Sequence, residues 1–186
     1  MRTQTSLRAR VSAAILEAAA GALAERGDQA SMADVAAAAG VARATVYRYF
    51  PNREALLEAL GHFAAAEAGD RLQAARLEEV SVPEAFQRAV RVLVTVGDYF
   101  VVLSRETARP DSAEFEQRVA APLRGLIERA QSSGEVRNDL PASWLMESLV
   151  GIVVSVIRTR PSLGVEDTVA GVTSLFLEGA RADRDG

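Results

Sequence analysis

The chain of 186 residues has no cysteine and no lysine, and His62 is its one histidine. Without cysteine there is no disulfide frame, no thiol nucleophile and no thiolate metal site. A single imidazole excludes a His-rich metal centre and a pair of catalytic histidines. The absence of lysine leaves arginine to carry all 21 basic charges. Arginine grips phosphate bidentately, but so complete a replacement reads as coding bias and carries no functional information. Aromatic residues are scarce, at 5%. The 13 glycines and 6 prolines show no period, which excludes collagen-like and low-complexity chains. No uncharged apolar run approaches the roughly 18 residues of a membrane span. The longest, Leu149 to Ile157, has the length of a core helix. Arg2, Arg8 and Arg10 precede an apolar run from Val11 to Ala24, which superficially resembles a signal peptide. Glu17 interrupts that run, and Val11, Ile15, Ala18 and Ala22 recur at helical spacing. An amphipathic helix and a cytoplasmic protein without membrane partners are expected.

What is present describes an ordinary globular chain: 49% apolar and 25% charged residues, with a net charge of −4. The charge is uneven. Residues 1–55 hold seven Arg and five acids, a net +2; residues 56–186 hold fourteen Arg and twenty acids, a net −6. A mildly basic segment on an acidic body suits a small nucleic-acid module joined to something else.

Strand-type alternation is missing, so the fold class is all-α, with about nine helices. The first runs from about Ser6 to Arg26 and stops at Gly27. Ser31 with Asp34 resembles a capping box for a second helix to Ala39. Gly40 ends that helix, and a third covers Arg43 to Tyr49. Pro51-Asn52 opens a fourth, to about Ala75. Ser81, Pro83 and Glu84 start a long helix to about Arg105, apolar round most of its circumference and expected at the centre of the second half. Arg109-Pro110-Asp111 is a break. A helix from Ser112 to Gln131, bent near Pro122, follows. The last two run from about Ala142 to Arg158 and Glu166 to Ala180.

Residues 31–50 carry the chemistry. Ala36, Gly40 and Val46 stand at the spacing A-x3-G-x5-V. Two short helices crossing steeply need a small residue at the contact, a turn residue free to take positive φ, and buried inner faces, here Val35 and Val46. This is a helix-turn-helix, whose second helix enters the major groove. That helix presents Arg43, Ala44, Tyr47 and Arg48 on its outer side, suited to base edges, thymine methyls and phosphates.

The run from Gly40 to Leu57, GVARATVYRYFPNREALL, resembles the recognition segment of the TetR/AcrR family of bacterial transcriptional regulators. The pattern T-[VL]-Y-x-[YH]-F-x-[ND]-[KR]-[ED]-x-L is far more specific than a bare helix-turn-helix. The resemblance covers residues 8–66. It implies a DNA-binding domain there, a helical ligand-binding and dimerisation domain over 67–186, and a homodimer on a double-stranded operator. It also implies release by an unidentified small-molecule effector, with repression as the sign of control. Under it, Thr45 and Tyr47 contact phosphate or base, Tyr49 contacts phosphate, and Arg43 and Ala44 lie where bases are read. Arg53 holds a phosphate at the start of the fourth helix. Ser31 and Arg48 complete the candidate DNA contacts. Ala42 stands where the family often has a polar residue; its methyl can meet a thymine methyl but donates no hydrogen bond.

His62, Phe63, Phe86, Tyr99, Phe100, Phe115 and Trp144 are candidates to line a ligand cavity, with ordinary core use as the plainer alternative for the aromatics. The last two helices carry surplus apolar stripes, which predicts an isologous four-helix contact between two copies. Its candidates are Leu149, Gly151, Ile152, Val153 and Val156 on one helix, and Val169, Val172, Thr173 and Phe176 on the other. Two rivals remain. An enzyme would need a nucleophile–base pair, a metal cluster or a phosphate loop, and the sequence offers none. A degenerate protein-binding adaptor is opposed by the intact Thr45, Tyr47 and Arg53. No catalytic residue, cofactor or metal is expected.

Overall fold

The structure is a computed structural model and describes residues 2–105, 113–159 and 163–181. Ten helices run through these residues, and the described part contains no strand beyond an isolated antiparallel bridge between Val136 and Arg181. No helix among the described residues is long and apolar enough to cross a membrane. The chain divides into two compact units: residues 1–64 with 98–111, and residues 65–97 with 112–186.

In the first unit, α1 (Arg2–Arg26) ends where Gly27 takes a φ of 57°, and a 3-10 turn follows at Gly27–Gln29. Helix α2 (Met32–Ala38) starts from Ser31 through a complete capping box. The Asp34 amide donates to Ser31 Oγ at 3.2 Å, and the Ser31 amide donates to Asp34 Oδ2 at 2.8 Å. Gly40 turns the chain at a φ of 64°, a region costly for any residue with a Cβ. Helix α3 (Arg43–Tyr49) follows, and α4 (Arg53–Ala74) begins after Asn52, whose Oδ1 accepts from the Ala55 amide at 2.8 Å. Ile15, Ala19 and Leu23 of α1 share one buried cluster with Val35, Ala36, Val46, Phe50, Leu56 and Leu60. Val102 of α6 (Gly97–Arg105) joins it.

In the second unit α5 (Val82–Thr95) packs against α8 (Ala121–Ser132), α9 (Ala142–Arg158) and α10 (Val165–Gly179), the central place expected for it. Phe86 is fully buried, its ring 5.5 Å from that of Phe176. Three sequence expectations need correction here. The helix expected over 82–105 is broken at Val96–Gly97 into α5 and α6. Gly97 lies so close to Ile157 that a Cβ on it would overlap the Ile157 Cδ1 methyl. Ser81 makes no side-chain cap, and Glu84 instead accepts from Arg88 Nη2 at 2.6 Å. The bend expected at Pro122 is a π-helical stretch, Glu116–Ala120, between the short α7 (Ala113–Phe115) and α8. Proline has no amide hydrogen and its ring crowds the carbonyl four residues back, so the preceding turn widens. The break at Arg109-Pro110-Asp111 lies outside the described residues.

Candidate nucleic-acid interface

Helix α3 turns Val46 fully into the core and leaves Ala42, Arg43, Ala44, Tyr47 and Arg48 exposed, with Thr45 and Tyr49 half-buried. The exposed face holds one organised pair. Arg43 donates from Nη2 to the Tyr47 hydroxyl at 3.3 Å, and its guanidinium lies 5.4 Å from the Tyr47 ring centroid. These residues are four apart, one turn along the helix. The Tyr47 hydroxyl raises the Arg43 pKa further above its already high ordinary value. A fork of donors and a 38% exposed phenol therefore project together from the same helix face.

Tyr49 is more constrained. The guanidinium carbons of Arg8, on α1, and Arg48 lie 5.7 and 5.5 Å from its ring centroid. Arg8 was not legible as a site residue, because nothing in the sequence places α1 beside the end of α3. Ser31 is exposed, but its hydroxyl is occupied: it donates to Asp34 Oδ2 at 2.6 Å and accepts the Asp34 amide. These bonds, with Arg26 beside them, hold the Asp34 carboxyl below the usual carboxylate range. Arg53 is half-buried and donates from Nη1 to the carbonyl oxygen of Ala30 at 2.8 Å. A cation at a helix start opposes the helix dipole, and the Ala30 carbonyl is an internal acceptor for Arg53 there. Ala42 precedes α3 with extended backbone and no side-chain cap.

Of the seven residues expected round a ligand cavity, His62, Phe63, Tyr99 and Phe100 belong to the first unit and Phe86, Phe115 and Trp144 to the second. Phe63 and Tyr99 meet edge-on, with centroids 5.7 Å apart, and pack on the buried cluster of the first unit. Phe86 and Phe100 are buried, and Phe115 is half-buried. His62 is exposed, and Trp144 is 56% exposed. None of them lines a cleft of about 580 Å3 in the second unit, formed by α4, the Leu77–Glu79 turn, the π-helical stretch and α8. Its walls include Leu72, Leu77, Leu126 and Arg129. Helical periodicity cannot report a concavity made between elements, and no signal in the sequence marked these residues.

The expected interface residues divide. Leu149, Val153, Val169, Val172, Thr173 and Phe176 are buried within the single chain. Gly151 is exposed, and Ile152 and Val156 are half-buried. Apart from Trp144, Val165 and Leu175, the large apolar side chains of the two helices are buried or half-buried within the single chain. The outer side carries Trp144, Ser148, Gly151 and Ser155 on α9, and Gly171, Ser174 and Leu175 on α10. Leu175 is 63% exposed.

Known proteins resemble this chain in both sequence and fold. Residues 15–60 match the family described as bacterial regulatory proteins, tetR family. The HTH-type transcriptional repressor LfrR of Mycolicibacterium smegmatis is 28% identical over 141 residues, covering 76% of this chain and 74% of that protein. The HTH-type transcriptional regulator NfxB of Pseudomonas aeruginosa is 26% identical over 175 residues, covering 89% of this chain and 92% of that one. A crystal structure of the TetR-like regulator LfrR from Mycobacterium smegmatis, in complex with proflavine, superposes with a TM-score of 0.76 at 25% identity. That match covers 95% of this chain and 99% of the other.

Proposed function

The chain belongs, through residues 15–60, to the tetR family of bacterial regulatory proteins and is a transcriptional regulator; from that premise we propose that it is a homodimeric repressor of the cytoplasm, released from a palindromic operator by a small molecule. The carrying observation is the exposed face of α3, where Arg43 and Tyr47 form one organised donor group on a turn set by Gly40. In this reading residues 8–66 read DNA and 67–186 bind the effector and pair the copies. Arg43 and Ala44 read bases, while Thr45, Tyr47, Arg48 and Tyr49 contact bases or phosphates. Arg53 tethers the Ala30 carbonyl and, in this reading, also contacts a phosphate. Ser31 keeps the helix cap and contributes to DNA only by fixing α2. Two-fold symmetry of the protein imposes two-fold half-sites in successive major grooves.

The relatives support the sign and the switch. LfrR is a repressor, and its structure holds proflavine. A ligand releases an operator only by favouring a state in which the reading heads no longer match the half-sites. Helix α4 runs unbroken from residues of the first unit into those of the second, which makes it the element able to carry the change. By linkage, an effector that releases DNA binds more weakly to the DNA-bound dimer. Equal effector affinity for free and operator-bound protein refutes the switch. For the DNA reading, the test is a titration of the full chain with duplex from upstream of its own gene and with a scrambled duplex. Arg43→Ala is expected to change the preference between the two. Loss of affinity by the same factor on both would remove Arg43 from base reading.

A further inference from the structure

The cleft of the second unit is lined by an arginine with two buried nitrogens that no described residue satisfies. Arg129 lines it, and its Nε and Nη2 are buried with no hydrogen-bond partner among the described residues. Buried polar groups are almost always paired; Arg129 as a whole is half-buried, but these two nitrogens lose hydration with no partner in return. The other charged residues of the cleft do not offset it. Arg118 is committed to ion pairs with Asp70 and, at 3.6 Å, with Glu114. Glu78 is an exposed residue at the wall and makes no bond to either of those nitrogens. The walls beside Arg129 are apolar: Leu72, Leu77 and Leu126 are all nearly buried, and Pro122 stands with them. A volume of about 580 Å3 lies in the range of small-molecule sites.

We propose that this cleft binds an organic anion, a carboxylate or phosphate on an apolar body, with its head on the Arg129 fork and its body against Leu72, Leu77 and Leu126. The proposal deepens the reading above by giving the effector-binding unit a site and a chemical class. The planar guanidinium matches two oxygens of a carboxylate or phosphate, and both partners leave water together. Gly125 provides an independent handle. A Cβ there meets no heavy atom within 4 Å, so a large side chain has room to occupy the cleft from one wall of α8.

Calorimetric titration of the full chain with octanoate, octyl phosphate, octanol and octylammonium tests this. The expected result is that one or both anions bind about tenfold more tightly than octanol, with octylammonium weakest. Whether octanoate or octyl phosphate binds better identifies the head group. Arg129→Met is expected to erase the anion preference while leaving octanol affinity within about twofold. In the absence of ligand it should melt no lower than the parent, because two buried donors without partners are removed. Gly125→Phe should abolish binding of the whole series with the fold intact. Equal affinity for octanoate and octanol, an anion preference that survives Arg129→Met, or no binding of any member overturns the proposal. A mobility shift separates it from the switch. Anion binding that leaves the operator complex untouched keeps the site and refutes ligand release; intact operator binding with no anion binding does the reverse to the site alone.

Discussion

Among single residues, the reading head is governed by how its polar groups are shared between the fold and a partner. Ser31 and Asp34 are committed to capping α2. Removing the cap by Ser31→Ala should cost about 1 kcal/mol of stability, read by denaturant unfolding. The Asp34 carboxyl is held below its ordinary pKa by the Ser31 hydroxyl, the Ser31 amide and Arg26. A depressed folded value means the contribution is fully present above about pH 4, the unfolded carboxylate value, and is lost as pH falls through the lower folded value. The difference in melting temperature between the parent and Asp34→Ala should therefore be constant at neutral pH and shrink in acid. Arg53 serves two masters, the Ala30 carbonyl and, in the proposed function, a phosphate. Arg53→Ala should lower stability by about 1 kcal/mol. It should also reduce the salt slope of DNA binding by about one unit for each phosphate left without its arginine in each subunit. Arg43 is fully outside the core, so Arg43→Ala should leave the melting temperature unchanged. A fall in melting temperature for Arg43→Ala as large as that for Arg53→Ala would show that both are structural.

Among helices, the informative place is the break between α5 and α6. The apolar pattern continues across residues 92–103 without a fault, and only Gly97 hints at an interruption. The cause is a neighbour: Ile157 of α9 occupies the space that a Cβ on residue 97 would need, with its Cγ1 also within 3.1 Å of that position. Gly97→Ala should cost about 1–3 kcal/mol through overpacking. Gly97→Ala combined with Ile157→Val removes the atom in conflict, and the pair should recover part of that loss in a double-mutant cycle. Recovery of nothing would mean that the glycine serves the backbone of the break and not the contact with Ile157.

In the proposed dimer, pairing follows from what the described residues of each copy leave uncovered. Trp144, Leu163, Val165 and Leu175 are large apolar residues more than half exposed, all in the α9–α10 region. Small residues, Gly151 and Gly171, lie exposed near them along the two helices and allow close approach of a second copy. Leu175→Glu and Gly151→Arg should yield a folded monomer in sedimentation, with an unchanged helical spectrum and weakened operator binding. Val153→Glu should instead unfold the chain, because its side chain is 2% exposed and a buried carboxylate there has no partner. A dimer that survives both Leu175→Glu and Gly151→Arg would place the interface elsewhere.

Local sequence was enough to specify the all-helical class, the bounds of α2 and α3, the cap at Ser31, the turn at Gly40 and the outward face of α3. These depend on interactions within a few residues: a cap three positions away, a φ at one position, a period of 3.6. Which residues of α9 and α10 are buried within one copy was set by tertiary packing, since helical periodicity alone does not tell a core face from an exposed one. Packing likewise put Phe63 and Tyr99 against the first unit's core and left the cleft beside Arg129, since a concavity exists only between elements distant in the chain. Arg53 answers to Ala30 for the same kind of reason: a hydrogen bond across 23 residues leaves no local pattern to read.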